Sequence, residues 1–597
     1  MNDKLSSLES SMEQLTQRLD ELVLKVDELA KKIDLGDSMP VNAGTASPDD
    51  QLPDASEAML SWVGRSSLLQ RLSTICFLLV IALVLRTVTD SGALNLPLGA
   101  VIGMSYAAIL MFMGWNRYRR DNQLAPVFTV CGTLLMFTIV VEAHAHFGLL
   151  SSVSAYALLI LTGLGAAAIS YAHHVPVPVA MGNLGMCVSA AAIDYPSPYF
   201  PYLGIVLITA NLVGYVTARA HRYVWLRWIL LIVTLFMITL WGIKLGMALR
   251  GDEGPIRTLA PTWFLPLLTV FTASYAITAF TGIIRTLPGK LNRFDLVMPT
   301  INVVWAFSLA RYVVSATGEG ITILGAMGVA VGVGHLAAAA WLANRDQTGA
   351  HGSNAFVFSG AVLLALALPV TADNKLLYLP VLAAVALWTS VMSAKWCSGS
   401  VRLTSYFLQI YASVTLAAAF LKGGEPDSFL TNVISAAGIA SLGLWQYRWL
   451  RNRKPPEESA FFSKIDKGDY GAVTVLLAGL LSAFVMLRVM LHKVTVMFFV
   501  SADVNNIIQG SQSVIINMSA IILMIIALAN RSRELRNVAI LLTAIGAINV
   551  FLYDLVRGHG IPLVLSVLSF GLATAIESVI LKRWQRQNSS GPDNNHQ

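Results

Sequence analysis

Arg86, Glu142, Arg311, Arg488, Asp554 and Arg557 stand inside, or at the edge of, long apolar runs. An arginine in such a place is costly and needs a partner. Its planar guanidinium grips a phosphate or a carboxylate through two parallel hydrogen bonds. These residue types point to a positively lined outer vestibule that takes a phosphate, a carboxylate or an acidic sugar, with Arg86, Arg311 and Arg488 lying deepest. The same residues have a second reading, in which they snorkel to lipid headgroups and pair with acids of the same surface. Asp554 and Arg557, three apart on one helix face, satisfy each other on that reading.

Other constellations are thinner. His144 and His146 with Glu142 have the look of a metal site, but His173 and His174 fall at the opposite membrane face and cannot complete it, so no metal is expected. His335 lies on a run with Gly325, Gly328, Gly332 and Gly334, whose small residues favour close helix packing. Glu577, in the last apolar run near its cytoplasmic side, is either a proton or cation site or the partner of a neighbouring helix. The segment LHKVTVMFFVSADVNNIIQGSQS reads as a lid, a re-entrant element or a surface loop. There is no GxSxG, P-loop or HExxH, and no GxGxxG in a strand–helix setting. No catalytic residue and no cofactor is expected, and an ATP-driven motor on this chain is excluded.

The elements that must position these residues follow from composition. Of 597 residues, 55% are hydrophobic and 13% charged, and the mean hydropathy is +0.64. A soluble chain carries about a quarter charged residues. The solvent that explains the deficit is lipid. The expected fold is an all-α polytopic membrane protein with about 18 transmembrane helices. Spans are placed near 71–89, 95–115, 124–144, 150–171, 175–193, 200–218, 223–247, 262–285, 295–316, 320–343, 353–371, 375–395, 401–421, 427–447, 469–491, 512–530, 537–556 and 560–581. The run 175–193 is short and opens with two prolines.

Lysine and arginine concentrate in every second loop, which sets both termini in the cytoplasm by the positive-inside rule. The net charge of +7 thus orients the protein and does not point to nucleic acid. Cys76, Cys131, Cys187 and Cys397 show no CxxC spacing and predict neither a disulfide nor zinc. The opening MNDKLSSLES lacks the basic and apolar stretches of a cleavable signal peptide. Arg86 precedes TVTDSG, Arg311 precedes YVVSATGEG, Lys422 precedes GGEPDS and Arg557 precedes GHG. Returning helices end in clusters such as WNRYRR (115–120) and WQYRWLRNRK (445–454), a pattern that predicts repeated helical hairpins.

Ahead of the membrane region, Leu5, Met12, Leu19, Val26 and Ile33 alternate with Leu8, Leu15, Leu22 and Leu29 in a continuous heptad. Residues 1–35 are read as a cytoplasmic coiled coil for self-association or a partner protein, 36–57 as a flexible linker and 58–70 as an interfacial segment. Residues 71–582 form the polytopic domain and 583–597 a cytoplasmic tail.

The coiled coil, the linker and the stretches TICFLLVIALVLRTVTDSGALNLPLGAVIGM (74–104) and FPYLGIVLITANLVGYVTARAHRYVWLRWILL (200–231) together resemble a bacterial family of predicted multi-pass membrane proteins, domain of unknown function 2339. The resemblance implies a bacterial cytoplasmic membrane and a role in the cell envelope, and transfers no catalytic residue. The leading functional reading is transport or handling of an amphiphilic or anionic envelope component. The alternative is a membrane scaffold organised by the coiled coil, with membrane lipid the one partner common to both. A membrane enzyme acting on a lipid-linked substrate ranks third.

Overall fold

An apolar run of about 20 residues satisfies its backbone inside a bilayer only by closing its own hydrogen bonds, so each run becomes a helix. The computed structural model describes residues 74–81, 83–84 and 95–589, except 121, 123, 195–199, 222, 252–259, 286–290, 346–351, 373–375, 422–427, 457–458, 499–503 and 558–559. All of them belong to the unit Ser66–Gln597. The heptad leucines Leu8, Leu15, Leu22 and Leu29 and the vestibule residue Arg86 lie outside the described residues.

The described residues are helical, without strands. After a helical stretch at 74–81 come α1 (Leu96–Tyr118), α2 (Ala125–Ala145), α3 (Ser152–His173), α4 (Val177–Asp194), α5 (Phe200–His221), α6 (Val224–Arg250), α7 (Pro261–Arg285), α8 (Arg293–Thr317), α9 (Ile321–Arg345) and α10 (Ser353–Thr371). They are followed by α11 (Tyr378–Lys395), α12 (Gly399–Leu421), α13 (Phe429–Arg451), the short α14 (Ala460–Lys464), α15 (Gly471–Phe498), α16 (Val504–Ala529) and α17 (Arg533–Ile548). A π-helical turn, Asn549–Asp554, leads through α18 (Leu555–Arg557) to α19 (Ile561–Ser589). Among the described residues 16 helices are long and apolar enough to cross a membrane, and α4 is apolar but shorter, over Val177–Ile193. Side-chain caps start several helices: Ser151 accepts from the Ser154 amide, Asn292 from Phe294 and Ser428 from Thr431.

Two sequence expectations change here. The segment read as a lid or loop is mostly helix, since α15 runs on to Phe498 and α16 begins at Val504. Nothing in HKVTVMF breaks a helix, so its polar residues lie on the flank of a continuing one. The hairpin pattern is also shifted by one helix. The pairs that pack along their length are α1 with α2, α9 with α10, α11 with α12, α13 with α15 and α16 with α17. In each the first helix ends in, or is followed by, a lysine or arginine; pairs joined by the short polar turns, such as α8 with α9, touch far less.

The reason lies in small residues facing one another. A Cβ placed on Gly132 of α2 would sit 2.8 Å from the Ala107 carbonyl oxygen of α1. A Cβ on Gly360 of α10 would sit 2.9 Å from the Gly332 carbonyl oxygen of α9. Without a hydrophobic drive between helices in lipid, such close backbone approach supplies the packing energy. Among the described residues the three largest apolar cores succeed one another along the chain. One extends from Phe137 to Val313, a second from Ile283 to Val489, and a third joins α15 to α16, α17 and α19 through Leu476, Met524, Val538 and Ile580.

Gly334 lies on the same helix as Gly332 but has open space where its Cβ would be. Gly360→Val is therefore expected to destabilise the folded protein by about 1–3 kcal/mol through overpacking, and Gly334→Val to leave it unchanged. Thermal unfolding of both variants in detergent checks the contrast; equal midpoints would remove the close-packing account of α9 and α10.

Candidate functional site

The residues singled out in the sequence do not converge on one vestibule in the described structure. Glu142 is half-buried near the end of α2, Arg311 is exposed on α8 and Arg488 is half-buried on α15. Helix α2 packs on α1, α3 and α4, whereas α8 packs on α6, α7 and α10, and α15 on α12 and α13. Arg557 ends α18, and its side chain lies outside the described residues. Several basic groups assigned to the same membrane face rest on aromatic rings. Lys244 lies 4.8 Å from the Trp241 ring, and Arg250 lies 4.5 Å over Tyr312 while donating to Ser315 at 3.3 Å. Cation–π contact of this kind holds a charge at the edge of an apolar layer without an acid. Of the two histidines beside Glu142, His144 shares a proton with the Leu150 carbonyl at 2.7 Å and His146 packs on Phe147. No cluster of three or more metal-ligating side chains occurs among the described residues.

Asp554 is different. It closes the π turn, is 1% exposed and faces α16 and α19. Ser513 of α16 and Ser566 of α19 both donate their hydroxyls to its Oδ2. Asn549, at the start of the π turn, donates to the Ser513 hydroxyl at 2.6 Å. Oδ1 is buried and accepts no hydrogen bond among the described residues. A single π turn inside an α-helix is rare and often accompanies a functional site.

The polar groups continue down the same three helices. Asn517, one turn beyond Ser513, donates to the Ser569 hydroxyl at 2.9 Å, and its own Oδ1 is buried without a donor. Beyond it, Thr543 of α17 donates to Glu577 of α19, which is 6% exposed. Ser566, Ser569 and Glu577 are three and eight residues apart, so they share one face. Ser566 and Glu577 are about 16 Å apart along the axis at the α-helical rise. The interior of the terminal bundle thus carries a carboxyl group at each end and a hydroxyl–amide layer between them. Neither carboxyl forms an ion pair among the described residues. Cations, protons included, are the species that such oxygen-lined, negatively charged positions hold. The serines and asparagines were missed in the sequence, although Ser513–Asn517 and Ser566–Ser569–Glu577 already show helical spacing within apolar runs.

Arg402 lies in the first turn of α12, beside a connection between helices, and is 1% exposed. Its Nε donates to the Tyr406 hydroxyl at 2.8 Å, and its Nη2 to the Leu450 and Arg453 carbonyls at 3.0 and 3.2 Å and to Asp469 Oδ2. Tyr406 donates in turn to Asp469 Oδ1 at 2.7 Å. Both carboxylate oxygens are therefore engaged. The group ties α12 to the end of α13 and the start of α15, and reads as a structural lock.

Long apolar helices joined by short connections, with buried polar layers between them, define a polytopic α-helical membrane protein. Residues 65–424 match the family model described as predicted membrane protein, DUF2339, and the chain belongs to that family. No curated protein and no solved structure matches the chain. Asp554, Glu577 and the layers between them lie past the matched segment.

Ser513 and Ser566 share one acceptor oxygen. Ser513→Ala and Ser566→Ala are each expected to cost about 1–3 kcal/mol, as for any lost hydrogen bond to a buried charge. The double variant should depart from additivity. A double-mutant cycle on unfolding midpoints in detergent measures this, and strictly additive losses would show that the two hydroxyls do not act on one carboxylate.

Proposed function

We propose that the protein transports or otherwise handles an amphiphilic or anionic component of the bacterial cell envelope, and that a proton or small cation exchanging at Asp554 and Glu577 is coupled to this work. One observation carries the reading: two carboxyl groups are buried at depth in the terminal three-helix bundle, with hydroxyl and amide neighbours and no basic partner among the described residues. Burying an unpaired acid in a membrane is costly, and such acids characterise proton relays and ion pathways. Asp554 Oδ1 and Asn517 Oδ1 keep acceptor capacity among the described residues, where a cation could be held.

A place for the apolar part of an amphiphile supports the same reading. Helices α7, α8 and α9 enclose a cleft of about 370 Å3, walled by Leu265, Phe307, Val314, Ile323 and Met327 and reaching Glu319 at the polar turn. Arg311 neighbours Ala310 of the cleft wall in the chain, and Arg250 stands over Tyr312 on the next turn. A chain in the cleft and an anionic head near Arg250 and Arg311 would suit a substrate of mixed character.

Reconstitution into proteoliposomes tests the coupling. A pH-sensitive dye and a sodium-sensitive dye in the lumen should report cation entry with the wild-type protein under an inward gradient. Asp554→Asn and Glu577→Gln should each return the signal to the protein-free background at unchanged incorporation. Wild-type vesicles indistinguishable from protein-free vesicles for both ions would sink the coupling. Separately, Arg311→Gln should weaken retention of anionic amphiphiles by the purified protein without lowering its abundance in the membrane, which quantitative lipid extraction reads directly.

A further inference from the structure

The connection between α13 and α15 encloses a second cavity, of about 500 Å3, chemically unlike the apolar cleft. Arg451, Arg453, Lys454 and Lys467 line it, with Phe462 and Asp469. Asp469 does not neutralise these charges, because Arg402 and Tyr406 already occupy its carboxylate. Arg451 leans on Glu534 at 2.7 Å. Arg453, Lys454 and Lys467 form no ion pair among the described residues. Glu457 and Glu458 follow Pro456 in the chain and lie outside the described residues.

The two arginines and the loop backbone are fixed in advance. The Arg453 guanidinium lies 4.2 Å over the Trp449 ring, and its carbonyl accepts from Arg402. Asp466 accepts from the Tyr470 and Gly471 amides at 2.6 and 2.7 Å, which pins the far side of the loop to the start of α15. Arg451 donates to the Gly468 carbonyl at 3.2 Å and closes the loop over the end of α13. Arginines held this way spend little entropy on ordering when an anion arrives.

We infer that this cavity is a binding site for a phosphate group, presented by the headgroup of an anionic phospholipid. The surroundings favour the lipid source. Ile465 and Tyr470, on the same connection, are 76% and 69% exposed. An apolar side chain and an aromatic one, exposed beside a basic cavity at the end of membrane helices, match the headgroup level of a bilayer. Basic pockets between membrane helices on the cytoplasmic side bind phosphorylated headgroups by the same chemistry. The site is independent of the terminal carboxyl pair and stands or falls apart from it.

The test is native mass spectrometry of the full-length protein, exposed to equimolar phosphatidylglycerol and phosphatidylcholine. The wild type should retain phosphatidylglycerol preferentially. The variant R453Q/K454Q/K467Q should lose that preference by at least about tenfold, since each basic group near an anionic headgroup contributes measurably. K582Q/R583Q, which removes two exposed charges from the end of α19, should keep it. Single substitution of Lys467 by glutamine, scored the same way, covers the case in which the triple variant misfolds and should give a smaller loss. Added inorganic phosphate distinguishes the sources. Failure to displace the lipid assigns the headgroup, and displacement in the wild type assigns a soluble phosphate to the same cationic walls. An unchanged lipid preference in both the triple and the single variant, or an equal loss in K582Q/R583Q, overturns the proposal.

Discussion

A polar group within hydrocarbon has no water to turn to, and the rest of this structure follows from where each such group finds its partner. The backbone solves the problem by closing every apolar run into a helix. Threonine hydroxyls solve it by donating back one turn, as Thr133 does to the Thr129 carbonyl at 2.6 Å and Thr162 to Leu158 at 2.7 Å. Groups that cannot reach their own backbone must meet across helices. Asn211 and Tyr275 do so at 2.8 Å, and Trp305 donates to Thr239 at 2.9 Å. These cross-helix contacts tie together helices of the first apolar core.

The class of fold was legible in the sequence because it depends on local facts. Long apolar runs, punctuated by polar turns and arginine-rich connections, can hardly be anything but membrane helices. Even the short α4 formed near its expected place. What could not be read was anything that depends on a partner distant in the chain. Arg402 and Asp469 are 67 positions apart, so nothing near Arg402 announces that it is buried. The pairing of helices had the same difficulty. Gly132 and Gly360 are visible as glycines, but which neighbour approaches them is fixed only when the bundle closes. Polar turns with matching basic residues suggested one set of hairpins, while backbone proximity selected the set displaced by one helix.

Arg227 shows how one charge serves several purposes at once. It pairs with Asp295 at 2.6 Å, lies 4.1 Å over the Phe294 ring and borders a small cavity of about 130 Å3 with Tyr215 and Tyr275. Asp295 in turn fills the space a Cβ on Gly282 would need. In the sequence Arg227 is one of the basic residues that cluster between apolar runs. In the folded protein it orients, packs and seals a junction between α6, α7 and α8, so counting loop charges describes one part of its role.

The same accounting separates the buried ionic groups of the C-terminal half into two kinds. At Arg402, Nε and Nη2 have acceptors, both oxygens of Asp469 have donors, and the charges cancel. Such a group is complete, and completeness is what a lock between helices requires. At Asp554, one oxygen takes two hydroxyls while the other takes nothing among the described residues, and the neighbouring Asn517 likewise keeps a bare carbonyl oxygen. A network meant only to hold helices together would gain by filling those acceptors, since a buried unsatisfied group costs about 1–3 kcal/mol. On the reading proposed above, a cation occupies that space for part of the time. On that reading, the difference between a closed and an open polar cluster, and not the mere presence of charge in the membrane, separates the last three helices from the lock at Arg402.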